Sequence, residues 1–433
     1  MKYSTFIVLG FTACGAFAVA CGSDDDSVAP TAGSGNASAG HANAGAGGKP
    51  AGGAGAANGG GHAGATAPGG GAAGEKAAAG EGGAPGGAGA GAPAEGGTAG
   101  DQGEAGAAPL ASFAVQKTNL VSDQATVATT TDPNLVNAWA IAINPGAQVF
   151  WVSSNHGGST PVYGADGSIK PLDPTVAPVA GADPGSPTGQ VFNATAANFM
   201  GDKFIVDTED GQILGWAAGT AYTQRAHSDT AIYKGLALVG AGATQQLLAA
   251  NFHDARVDIF DASYAPVANP DGFKDPSIPD GYAPFNVVTI GEKVYVAYAK
   301  QDDAKEDDEA GAGHGYVSVF DAAGTLTKSW LAGGELDSPW AISPAPASFG
   351  VPATALLVGN FGDGWIRAYD TVTGALLGSL TDKTGTPVVI PGLWDLKVGP
   401  TGTTDLSNTL FFSAGPSGET HGLFGKLLVD TLE

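Results

Sequence analysis

The sequence predicts an all-β chain, a six-bladed β-propeller, preceded by a signal peptide and a disordered Gly/Ala-rich tether. Three observations lead there. A short phrase returns six times, centred on Trp139, Thr188, Lys234, Phe285, Trp340 and Trp394, and a period of roughly 50 residues fits stacked four-stranded units. Each copy is followed by a short apolar run, such as Val149–Ser153 or Ala355–Gly359, and then by a third run closed by a turn residue, as in Phe260-Asp261 and Tyr369-Asp370. Near residue 111 the composition also changes, from Gly, Ala and Pro to segments rich in Val, Leu and aromatics. A Greek-key sandwich would not repeat one phrase six times, and the coils of a β-helix are much shorter than this period.

Residues 1–20 read as a lipoprotein signal peptide: Lys2 precedes an apolar run from Phe6 to Ala20, too short to span a membrane. Ala18-Val19-Ala20-Cys21 resembles a bacterial lipobox, with Ala18 where Leu is usual, so Cys21 is the expected lipidation site. Ordinary signal-peptidase cleavage after Ala-x-Ala would leave a secreted soluble protein instead. The expected address is therefore the cell envelope, lipid-anchored in the outer membrane, at its periplasmic face or on the cell surface, or else secretion. Both cysteines, Cys14 and Cys21, lie in this region, so the remainder can form neither a disulfide nor a thiolate metal site.

Residues 21–110 are almost devoid of side chains larger than Ala and cannot offset the entropy of backbone ordering. They read as a disordered tether. Residues 111–433 form the propeller domain, beginning with a strand over Phe113–Val121. The last repeat runs out of chain after its third strand, so this N-terminal strand is expected to close it and leave no wide open edge. Fourth strands are weakly patterned, as outer edges are.

A formal net charge of −24, with 18 Lys and Arg against 42 Asp and Glu, argues against nucleic acid and against adsorption to anionic lipid. The expected membrane contact is the N-terminal lipid alone, and the expected state is a monomer. No Gly-Lys-Ser phosphate loop, His-Glu-x-x-His or Gly-x-Ser-x-Gly occurs.

The repeats resemble NHL-type six-bladed propellers. Asn119-Leu-Val-Ser-Asp123, Asp132-Pro-Asn-Leu-Val-Asn-Ala-Trp139, Ala250-Asn-Phe-His253, Gly359-Asn-Phe-Gly-Asp-Gly364 and His421-Gly-Leu-Phe-Gly425 resemble phrases of an uncharacterised bacterial family of secreted propellers. Some members of that family carry a PEP-CTERM sorting tail. This chain ends at Leu432-Glu433 without such a segment, which fits an anchor at the N-terminus. The resemblance implies a fold but no activity.

In a propeller, the starts of first strands and the loops leaving second strands meet around the axis on one face. Those positions hold Asn155, His156, Glu209, Asp210, Lys234, Asn251, His253, Asn286, Lys300, Asp302, Asn360 and Asp363. A ring of polar side chains supplied by several blades is the candidate ligand-binding site; the last such loop, Gly415-Pro416, supplies none. The expected function is binding of a small molecule, glycan or protein at this axial face. Glu209, Asn251, Asn286, Asp302 and Asn360 are oxygen-bearing groups of the kind Ca²⁺ takes. With His156 or His253 as general base they suggest the alternative, a Ca²⁺-dependent lactonase- or esterase-like hydrolase. Against both stands the possibility that these Asn and Asp residues make turns. The acidic run Gln301–Glu309 lacks the glycine of an EF-hand and reads as a solvated hairpin insertion. Trp139, Trp340 and Trp394 read as packing between blades rather than a sugar platform.

Overall fold

The computed structural model describes residues 110–181 and 184–430. The signal peptide, the tether and the Cys21 lipidation site lie outside the described residues. The described chain is all-β and propeller-like, with helix confined to three single 3-10 turns. After strand β1 (Ala111–Ser122) come six successive antiparallel groups, whose first strands are Ala138–Asn144, Pro187–Phe192, Tyr233–Val239, Tyr282–Ile290, Pro339–Pro344 and Leu393–Val398. Each pairs with the next strand in chain order. The first strands touch one another in sequence and the sixth returns to the first, so the innermost strands close on themselves.

Aromatic and aliphatic residues fill the space between neighbouring groups. Trp151 stacks on Phe204 at 3.8 Å between groups one and two, and Phe150 meets Phe411 at 4.1 Å between groups one and six. Large rings at such positions combine extensive burial with defined geometry, which fixes the angle between sheets.

The closing strand is present and longer than its sequence pattern indicates. β1 runs antiparallel to Leu423–Val429, from Val115 opposite Val429 to Ser122 opposite Leu423. Its first residues, Ala111–Ala114, also pair in parallel with Leu376–Thr381, the outer strand of group five. Gly378 permits that approach, because a Cβ there would lie 2.0 Å from the Ala111 carbonyl oxygen. One strand thus joins groups five and six into a single nine-stranded sheet. Fourth strands form in groups two, four and five, at Thr223–His227, Leu326–Ala332 and Leu376–Thr381. In groups one and three the corresponding edge is reduced to isolated bridges, Tyr163 with Ile169 and Phe260 with Pro266.

Every first strand carries a register shift near its start, between Ala138 and Ile141, Pro187 and Gln190, Tyr233 and Leu236, Pro284 and Asn286, Pro339 and Ala341, and Leu393 and Leu396. A bulge adds backbone on one strand and re-aims its side chain. The six residues that align in the sequence repeat all fall within these bulges.

Candidate functional site

All six bulge residues, Trp139, Thr188, Lys234, Phe285, Trp340 and Trp394, are buried. Four are aromatic and pack on one another: Trp139 stacks on Trp394 at 3.5 Å, and Trp340 stands edge-on to Trp139 and Trp394 at 6.4 and 6.0 Å. Phe285 adds a tilted contact to Trp394 at 5.7 Å. This layer plugs the axis, so the tryptophans are committed to packing. The other two are polar: Thr188, and Lys234, a lysine 1% exposed, with its ammonium 5.3 Å from the centre of the Trp139 ring.

Six equivalent backbone hydrogen bonds bring the loops to this layer. The N–H just after each second strand donates to the C=O just before each first strand: Asn155 to Asn137, Glu209 to Ser186, Phe252 to Ile232, Gln301 to Gly281, Phe361 to Ser338 and Gly415 to Gly392, at 2.8–3.2 Å. Whatever side chains those loops carry are therefore held at one mouth of the axis.

A continuous polar network crosses that mouth. Lys234 Nζ donates to Glu209 Oε1 at 2.5 Å and to Asp307 Oδ1 at 2.8 Å. Glu209 Oε2 accepts from Asn155 Nδ2 at 2.9 Å, and Asn155 Oδ1 accepts from Asn137 Nδ2 at 3.3 Å. Asn137 Nδ2 also donates to Glu419 Oε2 at 2.6 Å, while its Oδ1 accepts the indole N–H of Trp394 at 3.0 Å. Five of the six groups contribute. Burial works against charge on Lys234, yet the Glu209 and Asp307 carboxylates outweigh it and hold the ammonium well above its ordinary range. Burial pushes Glu419 up to about 7, against the Asn137 hydrogen bond and the Lys234 charge. Burial likewise raises Asp308, beside Asp307, to about 6. Asn137 (φ 52°) and Glu419 (φ 65°) both hold left-handed backbone, the kind of strain that persists where surrounding contacts impose it.

Of the twelve axial candidates, the structure brings Asn155, Glu209 and Lys234 together. Asp210 turns away and binds the Val179 N–H and Thr208 Oγ1. Asn251 makes a turn with Asp254 and donates to Asp258. His253 Nδ1 lies 3.1 Å from Asp254 Oδ1, and His156 is exposed. Lys300 pairs with Glu309, and Asp302 accepts the backbone N–H groups of Glu306 and Asp307. Asp363 binds the Trp365 N–H and Arg367, and Asn360 donates to the Glu335 carbonyl. Asn286 sits past the aromatic layer, donating to the Trp340 carbonyl and accepting the Val287 N–H.

The five oxygen-bearing residues expected to hold Ca²⁺ are thus dispersed over these separate partners and do not fit one cation. Among the described residues no cluster of three or more His, Cys, Asp or Glu is arranged to hold a metal.

Three members of the network escaped the sequence reading. Asn137 stood in the repeated phrase but was not counted as polar lining. Asp307 belongs to the acidic run, which is an exposed hairpin between the second and third strands of group four as expected, but whose Asp307 carboxylate also pairs with Lys234. Glu419 lies in the last loop, which was read as supplying nothing.

No family model matches the sequence. It is 32% identical over 330 residues to an uncharacterised protein of Acanthamoeba polyphaga mimivirus, covering 72% of this chain and 79% of that protein. A second uncharacterised protein of the same virus is 32% identical over 345 residues, covering 74% and 88%. The chain belongs to their family. This corrects the bacterial secreted family suggested by the motif phrases. Those phrases fall at strand ends and the turns beside them. Among solved structures, an α-L-arabinofuranosidase from Fusarium graminearum in complex with an iminosugar inhibitor is similar in fold, with a TM-score of 0.51, 11% identity, and coverage of 73% of this chain and 98% of that one.

Proposed function

We propose that this protein is a six-bladed propeller, held by a lipid on Cys21 in the cell envelope, that binds a ligand bearing a cationic group at the charged mouth of its axis. One observation carries the reading. Glu209 and Asp307 bind a single ammonium, Lys234, and Asp308 and Glu419 lie near enough to feel its charge, so the mouth holds more carboxyl groups than its own cation can neutralise. An excess of carboxylates at a partly exposed, strained cluster suits an amine or guanidinium, on a small molecule, an amino sugar or a protein side chain. The net charge of −24 favours the approach of such a partner. Calorimetric titration with spermidine, glucosamine and an arginine-containing peptide tests it. Salt-sensitive binding that weakens at least tenfold in Glu419→Gln supports the reading, and equal binding of glucose and glucosamine overturns it.

A hydrolase reading keeps one observation in its favour. Glu419, titrating near neutrality, and Glu209, paired to Lys234, sit on either side of the Asn137–Asn155 bridge, as a general acid and its partner would. Turnover of aryl glycosides or esters that falls with Glu419→Gln would favour it over simple binding; inert panels would end it.

A further inference from the structure

Past the aromatic layer, one to several residues further along the first strands, the axis opens into a cavity of about 150 Å³. None of the mouth residues lines it. Gln190, Thr289, Asp395 and Lys397 face it, together with Leu236 and the ring of Trp340. Gln190 is 4% exposed; its Nε2 donates to the Tyr222 hydroxyl at 2.9 Å, but its Oε1 has no protein partner. The Thr289 hydroxyl is likewise buried without one. A buried amide oxygen left unmatched costs about 1–3 kcal/mol; both orphaned oxygens are closed off from the cavity space itself, so the polar groups a guest can reach are Asp395 and Lys397.

Asp395 is also buried, and burial raises its pKa. Its Oδ2 accepts the Ile141 N–H at 2.9 Å and also faces Lys397, while its Oδ1 accepts the Leu396 N–H at 2.7 Å and keeps a lone pair free. Lys397 Nζ stands 3.3 Å from Oδ2 and has further protons to donate. The two charges cancel, and a charged guest gains no net attraction here. What remains is an acceptor (Asp395) and a donor (Lys397) facing the apolar surface of Trp340 and Leu236.

We propose that this cavity binds a small neutral polyol, its hydroxyls bonding Asp395 and Lys397 and its C–H side lying on Trp340 and Leu236. The volume is of the order that accommodates a six-membered carbon ring, which sets the size between glycerol and a pentitol. The site is separate from the charged mouth and does not depend on the function assigned there.

Saturation-transfer NMR on the full chain with glycerol, erythritol and arabitol, and with methylammonium and acetate as charged probes, tests the proposal. Polyols are expected to bind and the charged probes to bind at least tenfold more weakly. Lys397→Met should weaken arabitol at least fivefold, with Glu209→Gln leaving it unchanged. Lys397 is partly exposed, so its replacement keeps the fold, which a melting curve checks. Absence of polyol binding in the wild-type chain, equal binding of the charged probes, or binding indifferent to Lys397→Met overturns it.

Discussion

The two ends of the axis are lined by the same six groups of strands, yet they are built differently. At the mouth, polar side chains arrive mostly on loops: Asn155, Glu209, Asp307 and Glu419 each follow a second strand, and only Lys234 rises from a bulge. At the far end, Gln190, Asn286, Asp395 and Lys397 belong to the first strands themselves. Loop-borne groups leave carboxylates partly exposed and in excess over their counter-cation. Strand-borne groups are tied to backbone N–H groups and reach local neutrality. A rigid, charge-balanced cavity suits one small guest, whereas loops on a fixed ring accept change without loss of the fold. The aromatic layer separates the two ends and touches both.

That separation can be broken most severely at Trp340. Its indole N–H donates to the Lys234 carbonyl, its own carbonyl accepts Asn286, and its ring lines the cavity. Trp340→Ala should cost about 4 kcal/mol in chemical denaturation and weaken binding at both ends. A loss confined to one end would show that the layer is not shared. Lys234→Ala comes next: removing the ammonium leaves Glu209 and Asp307 without a counter-charge, and about 3 kcal/mol should be lost while the cavity still binds its guest.

The pH dependence sharpens the comparison. Burial holds the Glu419 carboxyl at about 7 in the folded chain, above its ordinary 4.5, so the folded chain binds its proton more tightly than the unfolded one. Its stabilising contribution is complete below 4.5, declines as pH rises through 7, and amounts to on the order of 2 kcal/mol. Urea melts between acid and neutral pH should show that decline, and Glu419→Gln should flatten part of it. The remainder belongs to carboxyls such as Asp207 and Asp308, which burial raises to about 7 and about 6. The smallest expected effect is that of Asn155→Ala, about 1 kcal/mol, with weaker cation binding at the mouth and an unchanged cavity.

Strand positions were legible because a strand and its closing turn are written in neighbouring residues. Val149–Ser154 and Ala355–Asn360 follow directly from apolar runs bounded by turn formers. The repeat at Trp139, Thr188, Lys234, Phe285, Trp340 and Trp394 was legible as well, although its bulge was not, since a bulge depends on the register of two strands. The parallel pairing of Ala111–Ala114 with Gly378–Thr381 left no mark beyond one glycine among many. Most axial candidates were residues of a suitable type whose hydrogen bonds proved local, as at Asn251, Asp302 and Asp363.

By itself, the sequence determined the all-β architecture and the repeat, because periodicity and turn chemistry act over a few residues. Only the tertiary structure decided which polar groups meet. Lys234 finds Asp307 across 73 positions and Asn137 finds Glu419 across 282. Such pairs exist only once the ring of strands has closed, and the burial that raises Glu419 and retains Lys234 as a cation arises with that closure.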